Sequence, residues 1–347
     1  MLKEFLPSLL GRPKTPAAPA AKKVGIANPG VRIVDGKILP HYACQADIVN
    51  QCNLACRDCD HISPIARNRF ANPDTLYRDF AMLARVYKPQ LVQLLGGEPL
   101  LHPDIVTVIK AVRASGISDR VMLLTNGLLL SRMNDEFWES LDDLEISIYP
   151  DSNLDQKLLE NYQAKATEHK VRLEIYYYKE FRRHFSVPGT QDQALVERIY
   201  RSCKKVHVWG CHSIYEGHIY KCPQSIFIPG MLGLGKEQHS RDGLKLRESA
   251  DFLDELYNFL TSPEPLQACR NCLATAGIMR PHTQVRPRDW LAHHDGPLES
   301  MVDHAKLRRI EAEMHIQKPD HIKELLEAKA LDGRNLTRTN GTDEVTC

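Results

Sequence analysis

The chain has almost no net charge. Its 45 basic and 44 acidic side chains leave +1, so no bulk field recruits nucleic acid or an anionic membrane. It lacks a long apolar run as well. Residues 1–10 are apolar but interrupted by Pro7, too short for a membrane span and too weakly charged for a secretory signal. Residues 12–23, rich in Pro and Ala, read as a linker. No repeat of solenoid period is present. The G-x-S-x-G, Walker A and dinucleotide fingerprints are missing, which argues against serine hydrolase, P-loop NTPase and nicotinamide dehydrogenase chemistry. Carboxylates such as Glu136, Asp142 and Asp143 form no pair spaced for acid–base work. With 347 residues, 43% hydrophobic, the chain can build one large core or two smaller ones.

What the chain does have is cysteine in clusters. Eight of its ten cysteines fall into two groups at ligand-like spacings. With no secretory signal, that pattern points to metal binding in a reducing cytoplasm rather than to disulfides. The first group reads Cys52-Asn-Leu-Ala-Cys56-Arg-Asp-Cys59, directly after the strand-like run 45–49. A cubane iron–sulfur cluster normally takes four cysteines, so three leave one iron open to a small molecule. Zinc is the bland alternative, with His61 completing a Cys3His set, but it gives no reason for the next motif. The run 91–95 ends in Gly96-Gly97-Glu98-Pro99. The second group is Cys203, Cys211, Cys222 and the pair Cys269-Arg-Asn-Cys272, with a zinc ribbon as its bland reading. Cys44 and Cys347 are expected to be plain thiols.

Between and after these motifs, strand-like runs at 121–124, 144–148, 171–177 and 206–209 alternate with helical segments at 73–87, 103–115, 135–141, 153–169 and 191–201. That alternation predicts parallel βα units, with ligands at the C-terminal ends of the strands. Both motifs follow strands, as do Asn126 and Ser147, two further candidates for cofactor or substrate contact. Arg182 and Arg183 follow the fifth strand and read as a solvated pair, or as partners of a carboxylate. Alternating residues around Glu216-Gly217 predict a hairpin. Helices are expected over 298–314 and 321–330, with 332–347 disordered. His293, His294 and His304 are expected at the surface.

The cysteine triad and GGEP, in this order and at these strand ends, resemble the radical S-adenosylmethionine superfamily. The resemblance implies a partial (β/α)6 TIM-like barrel. It also implies a [4Fe–4S] cluster on Cys52, Cys56 and Cys59, and S-adenosylmethionine contacted by Gly96, Gly97, Glu98 and Pro99, with Glu98 accepting from its ammonium group. One electron from a donor such as flavodoxin or ferredoxin would then give a 5′-deoxyadenosyl radical. The family usually has an aromatic residue before the third cysteine; this chain has Asp58. Cys203 and Gly217, which is separated from Cys222 by four residues, resemble the opening of SPASM and twitch domains, which hold auxiliary clusters. One auxiliary [4Fe–4S] cluster is implied, on Cys222, Cys269, Cys272 and either Cys203 or Cys211. The loser of that pair could be a hydrogen-atom donor.

The expected organisation is an extension over 1–40, the barrel over 41–202, the auxiliary domain over 203–280 and a helical tail over 281–347. The favoured activity is oxidation or epimerisation of a small polar metabolite such as a sugar, nucleotide sugar or cyclitol. Modification of a ribosomal peptide or partner protein is the alternative, weakened by the linker-like residues before the barrel. A non-catalytic zinc-binding interaction module is the remote third.

Overall fold

Period-two alternation along the strands sets the architecture. Three short strands, β1 (Arg32–Val34), β2 (Lys37–Leu39) and β8 (Glu180–Arg182), lie outside the main sheet. In β3 (Ala43–Val49), Cys44, Ala46 and Ile48 join the main apolar core, while Gln45 and Asp47 point the other way. The same division runs through β4 (Leu91–Gly96), β5 (Val121–Thr125), β6 (Asp143–Ile148) and β7 (Arg172–Tyr177). Val92, Leu94, Leu123, Ile146 and Ile175 pack into the core. Gln93, Glu145, Ser147 and Glu174 occupy the opposite face. A sheet buried on both sides usually reads as a continuous apolar run; here one buried face is polar.

The computed structural model describes residues 30–150, 152–234, 241–316 and 336–339. These five strands pair in parallel and in chain order, with β3 and β4 registered Cys44 to Val92 and β6 and β7 registered Leu144 to Leu173. Helices return the chain between them. Asn72 caps α1 (Pro73–Leu83) by accepting from Thr75 N, and Pro73 supplies the preset first turn. Leu76, Phe80 and Leu83 bury one stripe of that helix. In α2 (Ile105–Ala114), Ile105, Val108, Ile109 and Val112 do the same, and Gly116 at φ +71° stops it. α3 (Asp135–Ser140) and α4 (Gln156–Glu168) complete the crossovers.

The sixth parallel strand is not where the sequence places it. Residues 206–209 wind as a π-helical turn, Lys205–Trp209, rather than a strand. The strand beside β3 is β9 (His212–Tyr215), in parallel register from Cys44 to His212. It turns through Glu216 and Gly217, both at positive φ, into β10 (His218–Tyr220), the predicted hairpin. β11 (Gly243–Lys245) closes that edge. β9, β10 and β11 therefore extend the same sheet. At the other edge, Leu336–Thr339 pairs in parallel with β7, within a stretch expected to be disordered.

A second apolar core lies beside the sheet. Leu195 and Ile199 of α5 (Gln193–Arg201) meet Phe185, Leu273, Trp290, Leu298 and Leu307. Cys203, Cys222 and Cys272 are buried in this core, with Cys269 packed against it. The predicted tail helix over 298–314 is a short 3-10 turn, Leu298–Met301, followed by the helix His304–Ile316. The extension over residues 1–29 and the helix expected over 321–330 lie outside the described residues. None of the described helices is long and apolar enough to cross a membrane.

Candidate active site

The cysteine loop and the GGEP loop are built against each other. Gly97 N donates to Val49 O at 2.7 Å and Glu98 N to Gln51 O at 3.0 Å. A β-carbon on Gly96 would meet Val49 O at 2.1 Å, and one on Gly97 would meet Gln51 O at the same distance. The two glycines are thus required by the root of the cysteine loop, a reason the sequence reading assigned to the cofactor instead. Both still line an open cavity together with Cys52, Cys56 and Cys59.

Glu98 is fully buried and points into the protein. It accepts from Leu100 N at 2.9 Å, Thr125 Oγ1 at 2.6 Å and Asn126 N at 2.9 Å. Burial raises its proton affinity and these donors oppose the rise. Its visible work is to tie the β4 loop to the end of β5, and neither it nor Pro99 contributes to the cavity wall. Asn126 and Ser147 do line the cavity. Asn126 Nδ2 donates to Asn53 Oδ1 at 2.7 Å, beside Cys52.

Burial pushes the Cys52 thiol up to about 12 and raises Cys59. Such thiols become thiolates when a cation arrives, as ligand deprotonation on metal binding requires. The donor set fits a cluster with an open position: three thiols of one loop on one cavity. His61 does not turn toward them; its Nε2 stands 3.3 Å from Asp47 Oδ1.

Asp60, the residue after Cys59, is the hub that sequence reasoning missed. Its carboxylate receives Lys205 Nζ and Gln224 Nε2, and His184 Nδ1 lies 3.2 Å away. Burial opposes ionisation of Asp60, but His184, Lys205 and His61 outweigh it and hold the carboxyl below its usual range. Lys205 follows Cys203 by two residues, and Gln224 follows Cys222 by two. One half-buried carboxylate therefore joins the first cysteine loop to the second cysteine group. Asp60, His184 and Lys205 all line the cavity, with Tyr149, Tyr178, Phe181 and Trp209 as an aromatic wall.

The second group sorts itself. Cys203, Cys222 and Cys272 share the second core with Cys269, and burial pushes Cys203 up to about 12. The four thiols influence one another electrostatically. Cys211 stands apart at the start of β9, is not a free thiol, and joins neither the four nor the cavity. Cys203, not Cys211, is the partner of the other three. Among the described residues, no three His, Cys, Asp or Glu side chains converge tightly enough for a single metal ion.

A strap over residues 281–294 covers the first cysteine loop. Arg57 N donates to Thr283 O and Val285 N to Ala55 O, each at 2.9 Å. Trp290 Nε1 donates to Cys56 O at 3.0 Å. His294, expected at the surface, is buried with Nε2 2.8 Å from Arg57 O, and burial lowers it to about 4. It stacks on Phe185. His293 and His304 are exposed, as expected. Arg183 is not solvated: it is buried and donates to Asp58 Oδ1 at 3.1 Å, while Arg182 lines the cavity. Asp58, where the family usually has an aromatic residue, is thereby a structural anchor. No motif announces these partners in the sequence, because each bond spans more than a hundred residues.

Residues 47–176 match the radical SAM superfamily. Those residues therefore carry a radical SAM domain. Radical SAM enzymes bind a [4Fe–4S] cluster and S-adenosylmethionine. The chain is 28% identical over 99 residues to the GTP 3′,8-cyclase of Microcystis aeruginosa, covering 27% of this chain and 30% of that protein. It is 25% identical over 154 residues to the GTP 3′,8-cyclase of Mannheimia succiniciproducens, covering 43% and 45%. The chain spans about a third of the length of the first curated relatives it matches. Among solved structures, BtrN in complex with AdoMet and 2-DOIA aligns with 16% identity and a TM-score of 0.41, over 66% of this chain and 92% of that one. Streptococcus suis SuiB bound to S-adenosylmethionine aligns with 14% identity and a TM-score of 0.34, over 65% and 69%.

Proposed function

We propose that this radical SAM enzyme dehydrogenates a secondary alcohol on a small polar metabolite such as a sugar, nucleotide sugar or cyclitol. Cys203, Cys222, Cys269 and Cys272 hold an auxiliary [4Fe–4S] cluster that takes the electron. The observation that supports this reading is the Asp60 hub: Asp60 and Lys205 line the cavity, and its partners Lys205 and Gln224 lie two residues from Cys203 and Cys222. Oxidising H–C–O–H to C=O removes a hydrogen atom, a proton and an electron. The first cluster and S-adenosylmethionine, when bound, supply the radical that removes the hydrogen atom. The protein must then hold the alcohol and accept the proton and the electron. His184, lowered to about 3 by burial, is a neutral imidazole able to accept a hydrogen bond from a substrate hydroxyl. Lys205 sits beside it on Asp60. The cavity is open to solvent, and its wall combines polar groups with aromatic rings, as a site for a polar metabolite requires.

Epimerisation would need a hydrogen-atom donor, and neither Cys203 nor Cys211 lines the cavity. The names of the curated relatives support a small-molecule substrate of sugar or nucleotide class. A low-potential donor such as flavodoxin or ferredoxin would supply the first electron, in the cytoplasm. The test is to incubate the reduced enzyme with S-adenosylmethionine and metabolite pools. The expected result is 5′-deoxyadenosine formed one for one with a substrate that loses two hydrogens. Silence on metabolites with coupled cleavage on a peptide would overturn the proposal in favour of peptide modification.

A further inference from the structure

The strap contributes one side chain whose position the activity itself does not require. His282 Nε2 lies 3.1 Å from Cys56 Sγ. The residue is buried and its ring stacks on Tyr149 at 5.0 Å and 13°, with Phe181 edge-on at 4.9 Å. Its backbone is pinned on both sides. His282 N donates to Lys179 O, and the next residue, Thr283, accepts Arg57 N from the cysteine loop, each at 2.9 Å. The ring therefore has one place to go, and that place is against the middle cysteine of the triad. Tyr149 faces the cavity, whereas His282 stands behind the sulfur and outside the cavity wall.

We infer that His282 donates a hydrogen bond to the Cys56 thiolate of the cluster and sets that cluster's reduction potential, acting as a positioning residue rather than a catalytic one. The inference rests on the assignment of the cluster to Cys52, Cys56 and Cys59. An iron-bound thiolate only accepts, so the ring nitrogen facing it must carry the proton. A reduced cluster places one more negative charge over its sulfurs. A donor at a sulfur favours the charged state, which raises the potential and makes the electron needed for cofactor cleavage easier to deliver. Burial behind aromatic rings strengthens the bond, because no water competes for either partner.

Two substitutions separate the hydrogen bond from the packing. His282→Phe keeps a flat ring against Tyr149 and removes the donor; His282→Gln keeps an N–H donor. The readout is an EPR-monitored redox titration of the cluster signal that responds to S-adenosylmethionine, in anaerobically reconstituted full-length protein. At a fixed potential, His282→Phe should lower the reduced-to-oxidised ratio about tenfold, a shift of about 59 mV for a one-electron couple. His282→Gln should restore most of it. Should His282→Phe fail to fold, pulsed EPR of the wild type labelled with ¹⁵N-histidine carries the same test. A weak histidine nitrogen coupling to the reduced cluster is expected, and its absence overturns the inference. An iron-loaded His282→Phe at the wild-type potential overturns it too, while leaving the cluster assignment intact. A wild type that takes up no iron removes both.

Discussion

The two cysteine groups differ in almost every respect that bears on function. Cys52, Cys56 and Cys59 lie within one short loop and face an open cavity. Cys203, Cys222, Cys269 and Cys272 are drawn from a span of 70 residues, are gathered in or against an apolar core, and do not line the cavity. Three ligands on a cavity leave a metal position for a small molecule, whereas four in a closed apolar shell leave none. The first arrangement suits chemistry on a ligand, the second suits holding or passing an electron. On the proposed reading the same element in two settings is divided into reactant site and electron store, with the half-buried Asp60 carboxylate between them.

The sharpest way to break this comparison is to remove one side of it. Replacing Cys52, Cys56 and Cys59 together by Ala should abolish S-adenosylmethionine cleavage and remove about half of the bound iron, four of about eight per chain. Iron analysis and product chromatography on the anaerobically reconstituted variant would show it. Complete loss of iron would mean that the second group does not hold a cluster alone.

Next in size is the contrast between Cys203→Ala and Cys211→Ala. The first should lose auxiliary iron and substrate oxidation while keeping cofactor cleavage. The second should keep both, because Cys211 stands outside the second core. Equal iron content in the two variants would contradict the grouping.

The smallest expected effect concerns the hub. Asp60→Asn leaves Lys205 buried beside a neutral amide, and breaking a buried pair costs roughly 3 kcal/mol. At about 2–4 °C per kcal/mol for a chain of at least this size class, calorimetry should show a fall in melting temperature of several degrees. The sign with pH follows from the lowered folded-state value of Asp60. Its contribution is present above the ordinary carboxylate range near 4 and is lost as pH falls below it through the folded value. Wild type and Asp60→Asn should therefore converge in stability on acidification. A constant gap down to strongly acidic pH would contradict the ion-pair account.

How much of this was legible beforehand follows the range of the interactions. The parallel βα order, the capped start of α1 at Asn72 and Pro73, and the turn at Glu216-Gly217 are local signals and stand in the structure as read. The first cysteine loop is local too. Residues 206–209 carried a strand-like composition, yet the chain needs a turn there to set Lys205 on Asp60, and the helical turn Lys205–Trp209 wins over propensity. The polar inner face of the sheet was hidden because Gln45, Asp47, Glu145 and Glu174 read individually as surface residues in short strands. Motif spacing favoured Cys203 and closeness to the hairpin favoured Cys211, so the sequence left that choice open. The choice depends on a core assembled from α5, residues 268–276 and the strap. His294 and Arg183 looked like solvent-facing residues for the same reason, since their partners in the cysteine loop lie 237 and 125 residues away.

The measurement that tests the central claim most directly is metal analysis with Mössbauer spectroscopy on the anaerobically reconstituted wild type. The account predicts about eight irons and eight sulfides per chain as two [4Fe–4S] clusters, only one of which changes its spectrum when S-adenosylmethionine is added. Stoichiometric zinc with little iron, or two clusters that both ignore S-adenosylmethionine, would contradict it.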